Sequence, residues 1–140
     1  MTELEQKAAA VRLLALDVDG VLTDGRIYYG NSGEELKAFN IKDGLGIKLL
    51  QHSGIQVAII TGRQSEIVAR RARELGIEAV IQGREDKLLA LQELCRQQQL
   101  TPADCAYMGD DLPDLSAIMA AGLGLTVADA SSSVRAAADW

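Results

Sequence analysis

The chain has 140 residues, 14 of them basic and 20 acidic, for a formal net charge of −6. Non-specific nucleic-acid binding rests on phosphate neutralisation by Lys and Arg, and this balance speaks against it. Hydrophobic residues make up 48% of the chain, enough to fill the core of one ordinary domain, and no apolar run is long enough to predict a membrane span.

Met1 to Ala10 reads as a short helical lead-in. It lacks the basic, apolar, small-residue order of a secretory signal, so a cytoplasmic protein is expected. Leu13–Leu16 is the first predicted strand, and Asp17-Val18-Asp19-Gly20 follows it directly. Arg26–Tyr29, the turn cluster Gly30-Asn31-Ser32-Gly33 and a return through Glu35 to Phe39 read as a β-hairpin flap over about residues 26–39. A helix is predicted over Gly44–His52, a strand over Ile55–Ile60 and a helix over Ser65–Leu75. Gly54 and Gly76 stand at the ends of these two helices, where glycine suits the left-handed turn. Further strands are predicted at Ala79–Ile81, Cys105–Met108 and Gly124–Val127, with helices at Asp86–Gln98, Leu112–Ala121 and Ser131–Ala137. Regular strand–helix alternation predicts an α/β fold, a doubly wound, mostly parallel, Rossmann-like sheet in one domain over residues 1–140. Cys95 and Cys105 have no CxxC spacing and no nearby His, so two reduced thiols are expected rather than a zinc site.

Four small motifs end four of the predicted strands. Asp17 and Asp19, two apart after an apolar run, emerge on the same side of the chain. Like charges so close need a cation or a shared proton. Thr61-Gly62-Arg63 supplies a hydroxyl and a cation, Lys87 a second cation at a helix start, and Asp110-Asp111 further carboxylates, with Asp114 beyond. In a doubly wound sheet these strand ends converge. The chemistry of such a set is coherent. A carboxylate can attack phosphorus and form an acyl phosphate. A second can protonate the leaving alkoxide and later deprotonate water. Mg²⁺ prefers hard oxygen ligands, and Thr61 with Lys87 can hold the non-bridging oxygens where transition-state charge lies. Taken singly, each residue has a plainer reading. Thr61 can be a helix N-cap, Lys87 a solvated helix residue, Asp111 and Asp114 charges favouring a helix N-terminus, and His52 a structural residue at a helix end.

The ordered set resembles the haloacid dehalogenase superfamily of Mg²⁺-dependent phosphohydrolases. The resemblance implies Asp17 as nucleophile, Asp19 as acid/base, and Thr61 and Lys87 as the remaining catalytic groups. Mg²⁺ would be held by Asp17, the backbone carbonyl of Asp19, and Asp110. It narrows to the 3-deoxy-D-manno-octulosonate 8-phosphate phosphatases through Asp24-Gly25, the Tyr-rich hairpin, Phe39-Asn40-Ile41-Lys42-Asp43-Gly44, Thr61-Gly62-Arg63, and Gln82-Gly83 with Lys87. That subfamily has no large cap domain, serves lipopolysaccharide precursor synthesis, and assembles as a homotetramer through its hairpins. The implied substrate contacts are Asp19, Asn40, Ile41, Lys42, Asp43, Gly44, Gly62, Arg63, Arg71 and Lys87, with Lys48 where some relatives carry Arg. Arg suits bidentate binding of carboxylate or phosphate. Relatives usually continue past the position of Trp140 with a strand, a Gly-rich segment and a helix. Without that tail the core chemistry is expected to persist, with turnover or affinity lowered. Other sugar-acid substrates with nine carbons, a receiver-type signalling domain and a non-catalytic relative are the competing readings. The receiver reading suffers because Ile81-Gln82-Gly83 ends a strand without an acceptor Asp.

Overall fold

The computed structural model describes residues 1–140, and in it the apolar runs become five strands and the hairpin adds two. These are β1 (Leu13–Leu16), β2 (Tyr28–Tyr29), β3 (Glu35–Leu36), β4 (Gln56–Ile60), β5 (Ala79–Ile81), β6 (Cys105–Met108) and β7 (Leu123–Leu125). The helices are α1 (Glu3–Ala9), α2 (Ile41–His52), α3 (Glu66–Leu75), α4 (Lys87–Gln97), α5 (Leu115–Ala120) and α6 (Ser132–Ala137). Five strands form one parallel sheet in the order β5-β4-β1-β6-β7, and β2 pairs antiparallel with β3 as a separate ribbon. The α/β, doubly wound class is therefore the observed one.

The pleat divides the core in two. Leu13, Ala15, Ala58, Ile60, Cys105 and Tyr107 point to one face and pack with Ala90, Leu91, Leu94, Ala117 and Val134 from α4, α5 and α6. Their neighbours in sequence, Leu16, Val57 and Ile59, point to the other face and meet Ile47 of α2 with Val68, Ala72 and Leu75 of α3. Strands covered on both faces read as continuous apolar runs, which is what made them visible in the sequence. From β1 the chain winds outward to β4 and β5, then returns to β6 on the other flank of β1. The strand order thus reverses between β1 and β6, where open α/β sheets place their ligands beyond the carboxyl ends. Leu16 pairs with Met108 in this register, and the Asp17 N–H donates to the Met108 carbonyl at 3.0 Å.

Several boundaries differ from those expected. Helix α2 begins at Ile41 instead of Gly44, because the Asn40 side chain accepts from the Lys42 N–H and caps it. The expected strand at Gly124–Val127 lies at Leu123–Leu125, and the segment expected as one helix from Leu112 opens with a 3₁₀ turn over Leu112–Asp114 before α5. The hairpin is present but its ladder is only two residues a side. Tyr28, Tyr29 and Leu36 are exposed, so no second layer supports a longer ribbon. Side-chain ties to the body hold it instead, as described below. Cys95 and Cys105 are both buried free thiols with their sulfurs 3.5 Å apart, joining α4 to β6.

Candidate active site

A polar cavity of about 190 Å³ lies beyond the carboxyl ends of β1, β4 and β6. Asp17, Asp19, Thr61, Gly62, Arg63, Lys87 and Asp110, all expected in the site, line it. Glu85, Asp111, Pro113 and Asp114 complete the wall, and no hydrophobic residue does.

Each group arrives by a local structural cause. Asp17 leaves β1 beside β6, buried, with its Oδ1 accepting from the Val18 N–H at 2.7 Å. Gly20 follows with φ +87°, and a Cβ there would sit 1.8 Å from Asp110 Oδ2. Glycine is therefore what lets the loop after β1 and the carboxylate after β6 share this space. Thr61 directly follows β4 and is almost fully buried, and Ser65, not Thr61, caps α3 by accepting from the Ile67 N–H. Lys87 opens α4 and is 3% exposed, so it is no solvated helix residue. The turn before it is held by Arg84, whose guanidinium bonds both Asp86 oxygens at 2.7 and 2.8 Å and reaches Glu93 at 2.9 Å.

Lys87 is the electrostatic centre. Its Nζ lies 2.8 Å from Asp114 Oδ1 and 3.3 Å from Asp17 Oδ1. Asp114 also accepts from the Tyr107 hydroxyl at 2.6 Å and from the Asp110 and Asp111 N–H groups at 3.0 and 3.3 Å. Asp111 and Asp114 do cap the 3₁₀ turn, as the plainer reading had it, but Asp114 is at the same time a buried wall of the site. Burial opposes the Asp114 charge. The adjacent Lys87 ammonium and its hydrogen bond, with Tyr107, outweigh that and hold the carboxyl below its usual range. Burial and then repulsion from Asp114 push Asp17 up to about 7, with Lys87 offsetting only part. Burial, Asp114 and Asp111 likewise raise Asp110.

Asp17, Asp110 and Asp114 can each offer one oxygen within 4.8 Å of the others. Such a set of hard donors, over-charged enough to push one member towards neutrality, fits a divalent cation such as Mg²⁺. Asp19 lines the cavity outside this trio, its Oδ1 accepting from Lys37 Nζ at 2.6 Å. The expected substrate residues divide. Asn40, Ile41 and Asp43 line an adjacent groove of about 560 Å³ with Thr23, Asp24 and Phe39. Lys42, Gly44, Lys48 and Arg71 line neither space. Arg71 instead stacks over Phe39 at 5.6 Å and donates to the Asn40 carbonyl at 3.3 Å, close against Gly44. Lys37, Tyr107 and the buried role of Asp114 had no signal in the local sequence.

The carboxylate cluster implies a pH signature. Asp17 binds its proton more tightly in the folded chain than in the unfolded one. Between the ordinary carboxylate range and about pH 7 the folded state therefore holds the extra proton, and stability falls as the pH rises. Asp110 adds to this trend. Asp114, Asp86, Glu93 and Asp139 are all held low, and their contribution is lost only as the pH drops into the ordinary carboxylate range or below. In EDTA the melting temperature is expected to fall between about pH 5 and pH 7, with Mg²⁺ raising it most at the upper end. A profile that rises over that interval would contradict the burial and repulsion assigned to Asp17.

Comparison with known proteins gives the same grouping. The family model for haloacid dehalogenase-like hydrolases matches residues 39–122. The 3-deoxy-D-manno-octulosonate 8-phosphate phosphatase of Yersinia pestis is 54% identical over 125 residues, 89% of this chain and 67% of that protein. The same enzyme from Salmonella typhi is 48% identical over 139 residues, 99% of this chain and 74% of that protein. A crystal structure of the Moraxella catarrhalis phosphatase, in complex with magnesium ion, phosphate ion and KDO, superposes with a TM-score of 0.97 at 51% identity, covering 99% of this chain and 80% of that one. Identity of this order across nearly the whole chain, on a matching fold, makes this chain a member of the haloacid dehalogenase-like hydrolases, within their 3-deoxy-D-manno-octulosonate 8-phosphate phosphatase branch.

Proposed function

We propose that the protein is a Mg²⁺-dependent phosphatase that hydrolyses 3-deoxy-D-manno-octulosonate 8-phosphate to the free sugar acid and phosphate, for lipopolysaccharide precursor synthesis. The observation that carries this is one polar cavity lined by Asp17, Asp19, Thr61, Lys87 and Asp110, in a chain about half identical to phosphatases of that name.

Asp17 attacks the phosphorus, an oxygen–phosphorus bond forms, and the bond from phosphorus to the sugar oxygen breaks. Asp19 gives that oxygen a proton as it leaves. Asp19 then takes a proton from water, whose oxygen displaces Asp17 from phosphorus and frees phosphate. Thr61 and Lys87 hold non-bridging oxygens, and Lys87 is already aimed at Asp17. Asp17, the Asp19 carbonyl and Asp110 would hold Mg²⁺, with Asp114 beside them. When bound, the ion neutralises phosphoryl charge that would otherwise repel an anionic nucleophile. Arg63, in the cavity wall, suits the sugar carboxylate, while Asn40, Ile41 and Asp43 line the neighbouring groove and Arg71 braces the Asn40 carbonyl.

A homotetramer is the assembly that the family resemblance implies, and exposed apolar residues support contact between copies. Ile41, Leu45 and Leu49 are exposed along one side of α2, and Tyr28, Tyr29 and Leu36 are exposed on the hairpin. Apolar residues aligned in this way suit contact with further copies. A monomer mass by light scattering at micromolar concentration would overturn the assembly. No helix is long and apolar enough to cross a membrane. The paired thiols suit a reducing cytoplasm.

The test is phosphate release from the eight-carbon sugar-acid phosphate with Mg²⁺, beside nine-carbon 9-phosphates and an EDTA control. Metal-dependent turnover that favours the eight-carbon ester is expected. Preference for a nine-carbon ester would retain the mechanism and replace the substrate. Failure to release phosphate from any ester would overturn the activity.

A further inference from the structure

The hairpin carries a buried ammonium to the edge of the site, and the steps above do not use it. Lys37 is the first residue after β3, and its side chain is wholly shielded from solvent. Its Nζ lies 2.6 Å from Asp19 Oδ1 and 3.8 Å from Glu35 Oε1. Glu35 in turn meets Arg63 at 3.3 Å, and Arg63 reaches the Tyr29 hydroxyl at 3.4 Å. A line of alternating charge thus runs from Asp19 through Lys37 and Glu35 to Arg63, joining the loop after β1, the hairpin and the loop after β4. Lys37 does not line the cavity, so it acts on the reaction only through another group.

Stability is a poor account of this arrangement. A buried ion pair often contributes no more than well-packed apolar residues of the same size. A two-residue ribbon with exposed tyrosines would be held as well by apolar contact. What the pair does supply is orientation. Asp19 is free to rotate about its side-chain bonds unless something holds one oxygen. Lys37 holds Oδ1, and Oδ2 takes no hydrogen bond from the protein.

We propose that Lys37 is a positioning residue for the acid/base carboxylate: by fixing Oδ1 of Asp19 it leaves Oδ2 to meet the leaving-group oxygen, and it makes that alignment depend on the seated hairpin. The inference rests on the acid/base reading of Asp19 given above. It predicts that losing Lys37 harms proton delivery to a poor leaving group far more than the attack on phosphorus itself.

The experiment compares kcat/KM, which reports the first phosphoryl transfer, for two kinds of ester. The sugar-acid phosphate leaves as an alkoxide that needs a proton, whereas p-nitrophenyl phosphate leaves without one. In Lys37→Met the alkyl ester is expected to lose about 100-fold and the aryl ester only a few-fold. Lys37→Arg, which keeps a charged donor, is expected to recover at least about ten-fold of the alkyl loss. Equal losses on both esters, or no loss on either, would overturn the positioning role. Thermal melts check that each variant folds. If Lys37→Met does not, the alkyl-to-aryl ratio is read in Lys37→Gln, and a wild-type ratio there overturns the inference. Asp19→Asn run in parallel separates the two levels. A leaving-group bias in Asp19→Asn without one at Lys37 sinks this inference alone, while no bias in Asp19→Asn sinks the acid/base reading beneath it. If the wild type ignores the sugar-acid phosphate, the substrate reading fails, and the same ratio is measured with an alkyl phosphate that it does hydrolyse.

Discussion

Asp17→Asn is expected to reduce turnover by at least about 10⁴-fold while making the metal-free protein more stable above pH 7. The two effects share a cause. The Asp17 carboxylate is buried among Asp110 and Asp114, and its proton affinity is raised to about 7. At higher pH the folded chain must carry that charge at a cost, and an amide of the same shape removes the cost along with the proposed nucleophile. Phosphate release would be measured beside the melting temperature in EDTA at pH 8. Turnover within about ten-fold of wild type would refute Asp17 as the attacking group. A lower melting temperature would instead mean that the contact with Lys87 outweighs the repulsion. Functional sites commonly hold groups that the fold would be more stable without.

Lys87→Met should act in the opposite sense on stability and the same sense on rate. Lys87 is the one cation within reach of Asp17 and Asp114, and its ammonium is itself buried. Removing it leaves Asp114 with the Tyr107 hydroxyl and backbone N–H groups alone. Truncating one member of a buried pair typically costs about 3–5 kcal/mol, and the three carboxylates would then repel without compensation. Denaturant unfolding in EDTA is expected to show a loss of that order. Mg²⁺ should recover part of it, because a cation can take over the electrostatic task. Turnover should not recover, with a loss of about 10³-fold or more, if Lys87 has its proposed role of holding an oxygen of the transferring group as well as balancing charge. Full recovery of turnover by Mg²⁺ would reduce Lys87 to a structural counter-ion.

The strands and the four strand-end groups were legible because both are local signals. β1 and β4 are buried on two faces, so they read as apolar runs, and each is followed directly by a polar residue, Asp17 or Thr61, that lines the cavity. The family resemblance then supplied roles that spacing alone does not give. Lys37 was missed for the converse reason. A lysine in a polar hairpin carries the pattern of a solvated residue, and its burial depends on a contact 18 positions away. Tyr107 reads as an ordinary core aromatic, since nothing adjacent marks that its hydroxyl meets Asp114. For Asp114 the sequence leaves a site carboxylate and a helix-start charge both open, because the turn that it caps is local and Lys87 is not. The start of α2 did have a local signal. Asn40, whose side chain caps the helix, and Asp43 in the first turn mark a start at Ile41, ahead of the predicted Gly44.

The strand order has a consequence for how the chain is made. β1 leaves the ribosome before either of its sheet partners, and one of its edges pairs with β4 about forty residues later. Its other edge has no partner until β6 at residues 105–108 has been synthesised. Throughout that interval a row of backbone donors and acceptors on an apolar strand stands open to any other extended chain. The acidic pair directly after it, Asp17 and Asp19, is the nearest charge to that open edge on its carboxyl side. The residues proposed for catalysis would thus also serve a nascent chain, as like charges that keep two unfinished copies from pairing there.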